Sequence, residues 1–226
     1  MRLLAIDTAL AACSAAVLDT DHGIVAAQSL VMERGHAEAL MPLIARIMDE
    51  ARTAFRELDR VVVTTGPGSF TGLRVGIAAA RGIALAAAKP AVGLSTLSAL
   101  AAPEMDADAT VPVIAAIDAR HDHVYLQVFG PGGRTLTAPR LASMREAVEA
   151  AAVAPACIVG SAAQAVAAAA VDAGIAIAAI EQRGAPDIAW VARMGAVVPE
   201  GQSPPKPLYL RAPDAQPQNA AQLPRR

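Results

Sequence analysis

Apolar runs alternate with polar and turn residues along the first half of the chain, and their spacing predicts a mixed order of strands and helices. Short apolar runs bounded by turn residues predict strands at residues 3–6, 13–18 and 24–30. Apolar positions at helical spacing predict a helix over about residues 36–52. The half then continues with a strand at 61–63, a helix over about 73–88, a strand near 91–93 and a short helix after Ser95.

The second half repeats this order of elements, and the repeat predicts two related lobes. Strands are predicted at residues 113–117, 124–129, 135–141, 157–159 and 175–180. Helices are predicted after a cap at Ser143, after Ser161 and from Pro186 to about Gly195. We therefore expect an α/β fold with a mixed sheet and helices in each lobe. The predicted parts are an N-terminal lobe (1–102), a smaller C-terminal lobe (103–212) and a flexible tail (213–226).

A turn rich in glycine joins the strand at 61–63 to the helix that follows it. Gly66, Gly68 and Gly72 surround the stiff residue Pro67. A strand, a glycine-rich turn and a helix N-terminus can bind an anion, or they can simply let the helix pack closely on the sheet. No Lys-Ser or Lys-Thr follows the last glycine, and Thr71 stands where a dinucleotide-binding turn needs glycine. The residues of the turn leave both interpretations open.

Composition narrows the class of protein. The formal net charge is −2, which argues against a protein whose main task is to bind the phosphate backbone of a nucleic acid on its own. The apolar run at the start is too short for a signal peptide, and polar residues interrupt the longest apolar segment, 162–180. We therefore expect a cytoplasmic protein with no membrane partner. Cys13 and Cys157 are expected to be buried free thiols.

Five segments carry a resemblance to a known family. They are LLAIDTALAACSAAVLD, RGHAEALMPLI, GPGSFTGLRVGIAAARGIA with GLSTLSALA, IDARHDHVYLQVF and PPKPLYLRAPDA. Together they resemble the TsaB (YeaZ) family over residues 3 to about 211, and the glycine-rich segment is the most specific of them. The order of elements is similar to the RNase H-like fold of actin, sugar kinases and Hsp70. The resemblance thus implies a two-lobed fold of that class.

The same resemblance implies a function in tRNA modification. The chain would be a non-catalytic subunit that supports a TsaD-like catalytic subunit in forming N6-threonylcarbamoyladenosine at position 37 of tRNAs. A TsaE-like ATPase would join them, and tRNA would be met through the complex. ATP and Mg²⁺ would be used by the complex, with no cofactor bound tightly by the isolated chain. Without its partner the chain is expected to form a homodimer.

The positions that hold nucleotide in actin-class enzymes look degraded in this chain. Asp7 and Asp118 each end the first strand of a lobe, where such enzymes place carboxylates, but no glycine follows either one. We take as remnants of a nucleotide site Asp7, Thr8, Gly66, Gly68, Ser69 and Asp118. No two of the four histidines are four residues apart, and no nucleophile set is recognisable, so we expect no metal site and no catalytic residue. His121 and His123 are expected at a solvated hairpin tip, and His36 in a capping or surface role.

The two predicted helices of the first lobe are expected to form the partner interface. The apolar stripe over 36–52 is wider than one contact needs, and interior glycines of the next helix suit close approach of another helix. Arg74 opposes the helix dipole, so we expect it to serve an acidic partner or a bound anion. The predicted interface comprises His36, Leu40, Leu43, Ile44, Ile47, Leu73, Arg74, Gly76, Ile77 and Ala80.

Two other functions stay open at this stage. An independent actin-class ATPase or kinase would use Asp7, Asp118 and the turn at Gly66. A peptidase is the weaker alternative, because neither a metal pair nor a nucleophile set supports it.

Overall fold

The computed structural model describes residues 1–107, 110–199, 201 and 203–211, and the predicted tail at 213–226 lies outside them. The described residues form two five-stranded mixed sheets and six α-helices. Each half of the chain contributes one sheet, and both halves follow the same order of elements. The repeat predicted from the sequence is therefore confirmed at the level of elements.

The first sheet is built from β1 (Arg2–Asp7), β2 (Ala12–Asp19), β3 (Gly23–Val31), β4 (Arg60–Gly66) and β5 (Ala91–Ser95). Its spatial order is β3-β2-β1-β4-β5. The strand β2 is antiparallel to both of its neighbours, β1 and β3, whereas β4 and β5 are parallel to β1. The helices of this half are α1 (His36–Glu50), α2 (Phe70–Ala87) and α3 (Thr96–Ala107).

The second sheet repeats that topology. Its strands are β6 (Val113–Asp118), β7 (His123–Phe129), β8 (Arg140–Ser143), β9 (Cys157–Gly160) and β10 (Ala179–Gln182), in the order β8-β7-β6-β9-β10. Its helices are α4 (Met144–Ala151), α5 (Ala163–Asp172) and α6 (Ile188–Val197). Gly66 and Gly160 end the corresponding strands β4 and β9 with nearly equal φ angles of 114° and 120°.

Successive side chains of a strand point to opposite faces of its sheet, and in both sheets the side chains on each face are mostly apolar. In the first sheet, Leu4 and Ile6 of β1 pack against α1 and α2, whereas Leu3 and Ala5 face the opposite side. In the second sheet, α4 and α5 cover the corresponding outer face. Each sheet therefore needs a third helix to cover its inner face.

The two lobes exchange these third helices. Leu97 and Leu100 of α3, which follows the first sheet, pack against β6 and β9 of the second sheet. Ile188 and Val191 of α6, the last of the six described helices, pack against the first sheet instead. The buried guanidinium of Arg60 fixes α6 there, because its Nη1 donates to the carbonyls of Gly195 and Val198 at 2.8 and 2.7 Å. The predicted lobe limits at 102 and 212 stay predictions.

The starts of three elements differ from the predictions by three residues or more. The helix α2 begins at Phe70 rather than near 73, because Ser69 caps it by accepting a hydrogen bond from the N–H of Gly72. The strand β8 begins only at Arg140, since Pro139 has no N–H to donate and residues 135–137 fold back onto the end of β7. The strand β10 begins at Ala179, since Ile175 and Ile177 pack into the core instead of pairing.

The helix α2 is long and apolar enough to cross a membrane by length and composition. In the fold, one face of it, including Leu73 and Ile77, is buried against the first sheet. A core helix of this kind passes the same test as a membrane span, so the match carries little weight. The segment 162–180 forms α5 and the start of β10.

We expect Gly195→Ala to lower the free energy of unfolding by about 1–3 kcal/mol, since the new Cβ collides with the stiff side chain of Val62. Urea denaturation measures the change. The matched control is Gly82→Ala on α2, where a Cβ meets nothing within 4 Å. The control should gain up to about 1 kcal/mol from helix propensity. Equal effects of the two substitutions would show that α6 does not depend on its close approach to β4.

A candidate functional site in the interlobe cleft

A cleft of about 460 Å³ lies between the two lobes. Its walls come from the turn after β1, the first turn of α2, the end of β6 with the hairpin that follows it, and residues 208–211 near the end of the described chain. Among the predicted nucleotide-site residues, Gly68, Ser69 and Asp118 line this cleft. The other three lie beneath it or behind the C-terminal segment.

The glycines of the turn and of α2 allow backbone contact between α2 and the turn after β1. A Cβ at Gly68 would collide with the carbonyl of Ala9, and one at Gly72 with the carbonyl of Thr8. A Cβ at Gly76 would collide with the hydroxyl of Thr8, which donates a hydrogen bond to the carbonyl of Gly72 at 2.7 Å. Of the two interpretations of this turn, the geometry favours close helix packing at these positions.

Asp7 is fully buried and does not line the cleft. Its Oδ1 accepts hydrogen bonds from the hydroxyl of Thr64 and from the N–H of Ala9, whereas its Oδ2 has no partner among the described residues. Burial raises the pKa of Asp7 from its ordinary value of 3.8 to about 6, against the lowering effect of the two hydrogen bonds. Asp7, the carboxylate that would bind a metal in an actin-class enzyme, is therefore buried in this chain.

Asp118 stands exposed at the cleft, and its contacts are local. Its Oδ1 accepts from the backbone N–H of Arg120 at 2.8 Å, and its own N–H donates to the hydroxyl of Ser161 at 3.0 Å. Arg120, His121 and Asp122 all adopt left-handed φ angles between 52° and 61°. Asp118 therefore contacts Arg120 through the backbone amide of this tight hairpin.

The C-terminal segment, residues 203–211, crosses the cleft from the first lobe to the second. The N–H of Leu208 donates to the carbonyl of Thr65 at 2.8 Å, and the carbonyl of Leu208 occupies the space beside Gly66. At the far end, Nη1 of Arg211 donates to the carbonyl of Ala119 at 2.9 Å. Sequence reasoning assigned this segment no role at the site, although its motif PPKPLYLR was one basis of the resemblance.

The side chain of Arg74 contacts two other residues of this chain. Its guanidinium lies 3.8 Å above the ring of Phe70, and its Nε donates to the hydroxyl of Tyr209 at 3.3 Å. The rings of Phe70 and Tyr209 are 4.8 Å apart. Arg74 therefore holds the C-terminal segment on α2, which accounts for a cation in the first turn without an outside acidic partner.

The other nine residues predicted at the partner interface are buried within this chain. They are His36, Leu40, Leu43, Ile44, Ile47, Leu73, Gly76, Ile77 and Ala80. His36 is not at the surface, since it is only 7% exposed and its Nε2 lies 3.1 Å from the carbonyl of Leu10. The wide apolar stripe of α1 serves the packing of α1 on the sheet and on α2. A partner would have to meet other positions of the two helices.

An apolar groove of about 410 Å³ lies on the outer side of α1 and α2. We call it the α1–α2 groove, and it is lined by Met41, Phe55, Arg56, Ala79, Gly82, Ile83, Ala86 and Ala87. Met41 is 49% exposed and Phe55 38% exposed, although both are large apolar side chains. Two large apolar side chains are therefore exposed at the α1–α2 groove.

No metal-binding cluster of three or more His, Cys, Asp or Glu side chains exists within residues 1–107, 110–199, 201 and 203–211. His121 and His123 are exposed, and Nδ1 of His123 lies 2.6 Å from the carbonyl of His121. Cys13 and Cys157 are buried free thiols, as predicted. Burial raises the pKa of each thiol to about 11, so neither is an activated nucleophile.

Comparison with known proteins places the chain in a family. The family model described as "TsaD: tRNA N6-adenosine threonylcarbamoyltransferase" matches residues 23–185. The TsaB protein of Escherichia coli (named for tRNA threonylcarbamoyladenosine biosynthesis) is 40% identical over 125 residues, which cover 55% of this chain and 53% of that protein. The chain thus spans about half the length of the TsaB-named relatives it matches.

Two further likenesses extend over nearly the whole chain. An uncharacterized protein of Mycobacterium tuberculosis is 32% identical over 95% of this chain and 94% of its own length. The structure of YeaZ from Pseudomonas aeruginosa is 26% identical, with a TM-score of 0.77 over 92% of this chain and 99% of that one. The chain belongs to the family that the model describes, and within it to the TsaB (YeaZ) proteins. The predicted α/β fold, with a mixed sheet and helices in each of two lobes, is confirmed.

We expect the buried carboxyl of Asp7 to make stability depend on pH. Its pKa is higher in the folded chain than in the unfolded chain, so the stability present below about pH 4 is lost as the pH rises through about 6. A change from 3.8 to about 6 corresponds to about 3 kcal/mol. Relative to the wild type, Asp7→Asn should therefore gain stability between pH 4 and pH 7, as measured by chemical denaturation at several pH values. A difference between the two proteins that does not vary with pH would contradict this prediction.

Proposed function

We propose that this TsaB (YeaZ) protein is a non-catalytic subunit that pairs with a TsaD-like catalytic subunit in forming N6-threonylcarbamoyladenosine at position 37 of tRNAs. Membership of the family supports a role in forming N6-threonylcarbamoyladenosine, and the TsaB relatives are named for the biosynthesis of that nucleoside in tRNA. The observation that carries the non-catalytic role is the burial of Asp7 beneath the cleft. With Asp7 covered, the exposed Asp118 alone is too little to hold a catalytic metal.

The surroundings of the cleft support the same conclusion. The atoms of Thr8 and Ala9 fill the space beside the glycines of α2 and the turn before it, where a phosphate chain would need open backbone. The carbonyl of Leu208 covers Gly66 in the same way. Phosphoryl transfer depends on positioning metal and phosphate together, and this arrangement offers neither position. The independent ATPase or kinase is therefore the weaker alternative.

The α1–α2 groove is the proposed surface for the TsaD-like partner. It is concave and apolar, and the exposed Met41 on one side and the half-buried Ile83 on the other form its walls. Gly82 also lines the groove, and a Cβ there would meet nothing within 4 Å, so that a side chain of the partner can approach the helix backbone closely. A buried apolar centre of this kind contributes most of the binding free energy at many protein interfaces.

The remaining partners are proposed from the family alone. A TsaE-like ATPase would join the pair, the complex would use ATP and Mg²⁺, and tRNA would be bound through the complex. The isolated chain would hold no cofactor tightly and would form a homodimer through the same groove. We place the protein in the cytoplasm, where these components act on tRNA.

We expect Met41→Arg to weaken binding of the TsaD-like subunit at least tenfold, since it places a charge in the wall of the apolar groove that the partner would bury. Isothermal titration of the two purified proteins measures the affinity. The matched control is Val171→Arg on α5, which is 60% exposed and lies on the other lobe. Gly76 is unsuitable for this test, because a side chain there collides with Thr8 and disturbs the fold itself. Equal affinities for the two variants would exclude the groove as the docking surface.

We expect the modified nucleoside to form only when this chain is present. TsaD-like and TsaE-like proteins, the threonylcarbamoyl donor, ATP and tRNA are incubated with the wild type, with Met41→Arg or without the chain, and the nucleoside is counted by mass spectrometry. The variant should give product only at raised protein concentration, because its defect lies in pairing. The proposed role is wrong if product forms equally without the chain.

A further inference from the structure

Four strands form the edges of the two sheets, and three of these edges are short or covered. The strands β8 and β10 have four residues each, and each contains a charged residue, Arg140 and Glu181 respectively. The edge of β5 is covered by the C-terminal segment, since the N–H of Gly93 donates to the carbonyl of Ser203 at 2.8 Å. Short length, charge and cover are devices by which native edge strands avoid pairing with other chains.

The fourth edge strand, β3, shows none of these protections in the described part of the chain. Its nine residues, Gly23–Val31, include no charged residue and no proline, and they pair with β2 alone among the described strands. A β-bulge at Val25 interrupts the pairing near the start of the strand. The regular, uncharged part of the edge is therefore the segment Ala26–Val31.

Three backbone positions of this segment point away from the sheet. The N–H of Met32, directly after β3, donates to the carbonyl of Ala11, directly before β2, at 3.1 Å. Successive residues of a strand direct their N–H and C=O groups to opposite edges, so those of Ala27, Ser29 and Val31 point away from β2. These groups have no partner among the described residues. The side chains at the same positions are exposed, that of Val31 by 90%.

The segment is complementary to itself. An antiparallel pair with its two-fold axis at Ser29 places Ala27 of each copy opposite Val31 of the other, and the two copies of Ser29 opposite each other. Each outward position then donates one backbone hydrogen bond and accepts one. The large exposed side chain of Val31 meets the small one of Ala27, and no like charges face each other across the axis. A strand of another protein would need none of this symmetry.

We propose that β3 pairs with β3 of a second copy of this chain, antiparallel and centred at Ser29, so that the two N-terminal sheets join into one. The helix α1 packs over β2, and α6 packs mainly over β1 and β2, so both leave the outer edge of β3 open. So short a strand pair buries less surface than a standard interface, and it therefore forms at raised protein concentration. Where the α1–α2 groove already joins two copies, this pairing links such dimers into larger species. The edge shares no residue with the groove, so the inference does not depend on the proposed function.

Sedimentation equilibrium of the full chain carrying Met41→Arg tests this pairing while a charge occupies the wall of the groove. We expect a monomer–dimer equilibrium at submillimolar protein concentration. Adding Ser29→Pro should weaken the dimer at least tenfold, because proline lacks the N–H that donates at the two-fold axis. The fold should be kept, since proline is tolerated on an edge strand where the N–H points to solvent. The matched control Ser29→Ala retains the N–H and should leave the equilibrium unchanged.

A charge on the same edge gives a second test. Val31→Lys should also weaken the dimer at least tenfold, since a lysine on an edge strand opposes pairing with another strand. The matched control is Val153→Lys, a substitution on the other lobe of a valine that is 86% exposed, and it should have no effect. Thermal unfolding of each variant checks that the fold is kept.

Disulfide cross-linking tests the register. With the mild oxidant diamide, Ser29→Cys should give a covalent dimer, because the two new thiols face each other and the native Cys13 and Cys157 are buried. Gln28→Cys should not, since its two copies lie diagonally, about 7–8 Å apart, beyond the reach of a disulfide.

Three results would overturn the inference. The first is a Met41→Arg chain that stays monomeric at submillimolar concentration, which would leave the edge to an extended segment of another protein. The second is an equal effect of Ser29→Pro and Ser29→Ala on the dimer. The third is cross-linking of Gln28→Cys as rapid as that of Ser29→Cys.

Discussion

The backbone contact between α2 and the turn after β1 is the constraint on which the first lobe and the cleft both depend. Thr8 and Ala9 occupy the spaces that side chains would take at Gly68, Gly72 and Gly76. This contact fixes the start of α2 beside the carboxyl end of β1 and covers Asp7 at the same time. One packing interaction thus shapes the wall of the cleft and removes the carboxylate from it.

The internal repeat explains why the two lobes are joined so closely. Each half makes five strands and three helices in the same order, but the third helix of each half packs on the sheet of the other. The inner faces of both sheets are therefore buried only when the whole chain is folded. The buried Arg60, bonded to the end of α6, makes this exchange specific to one position of the helix.

Much of the fold could be predicted from sequence, since short β-branched runs such as the three valines of β4 and the cap at Ser69 are local signals. The burial of the residues expected at a partner interface could not be predicted. The sequence pattern shows that Ile44 and Ala80 are apolar, but not that other parts of the same chain cover them. The same holds for Arg74, whose partner Tyr209 is 135 residues away. The limits of β8 and β10 depended on tertiary packing that local periodicity does not contain.

The return of α6 to the first sheet has a consequence for synthesis on the ribosome. The first sheet is complete in sequence at Ser95, but the helix that covers its inner face starts only at Ile188. At about 5–20 residues per second, the intervening segment takes on the order of 5–20 s to translate. Until α6 is synthesised, the inner face of the first sheet lacks the helix that buries it in the folded chain. The nascent chain thus exposes, for several seconds, apolar surface of the kind that promotes aggregation before folding is complete.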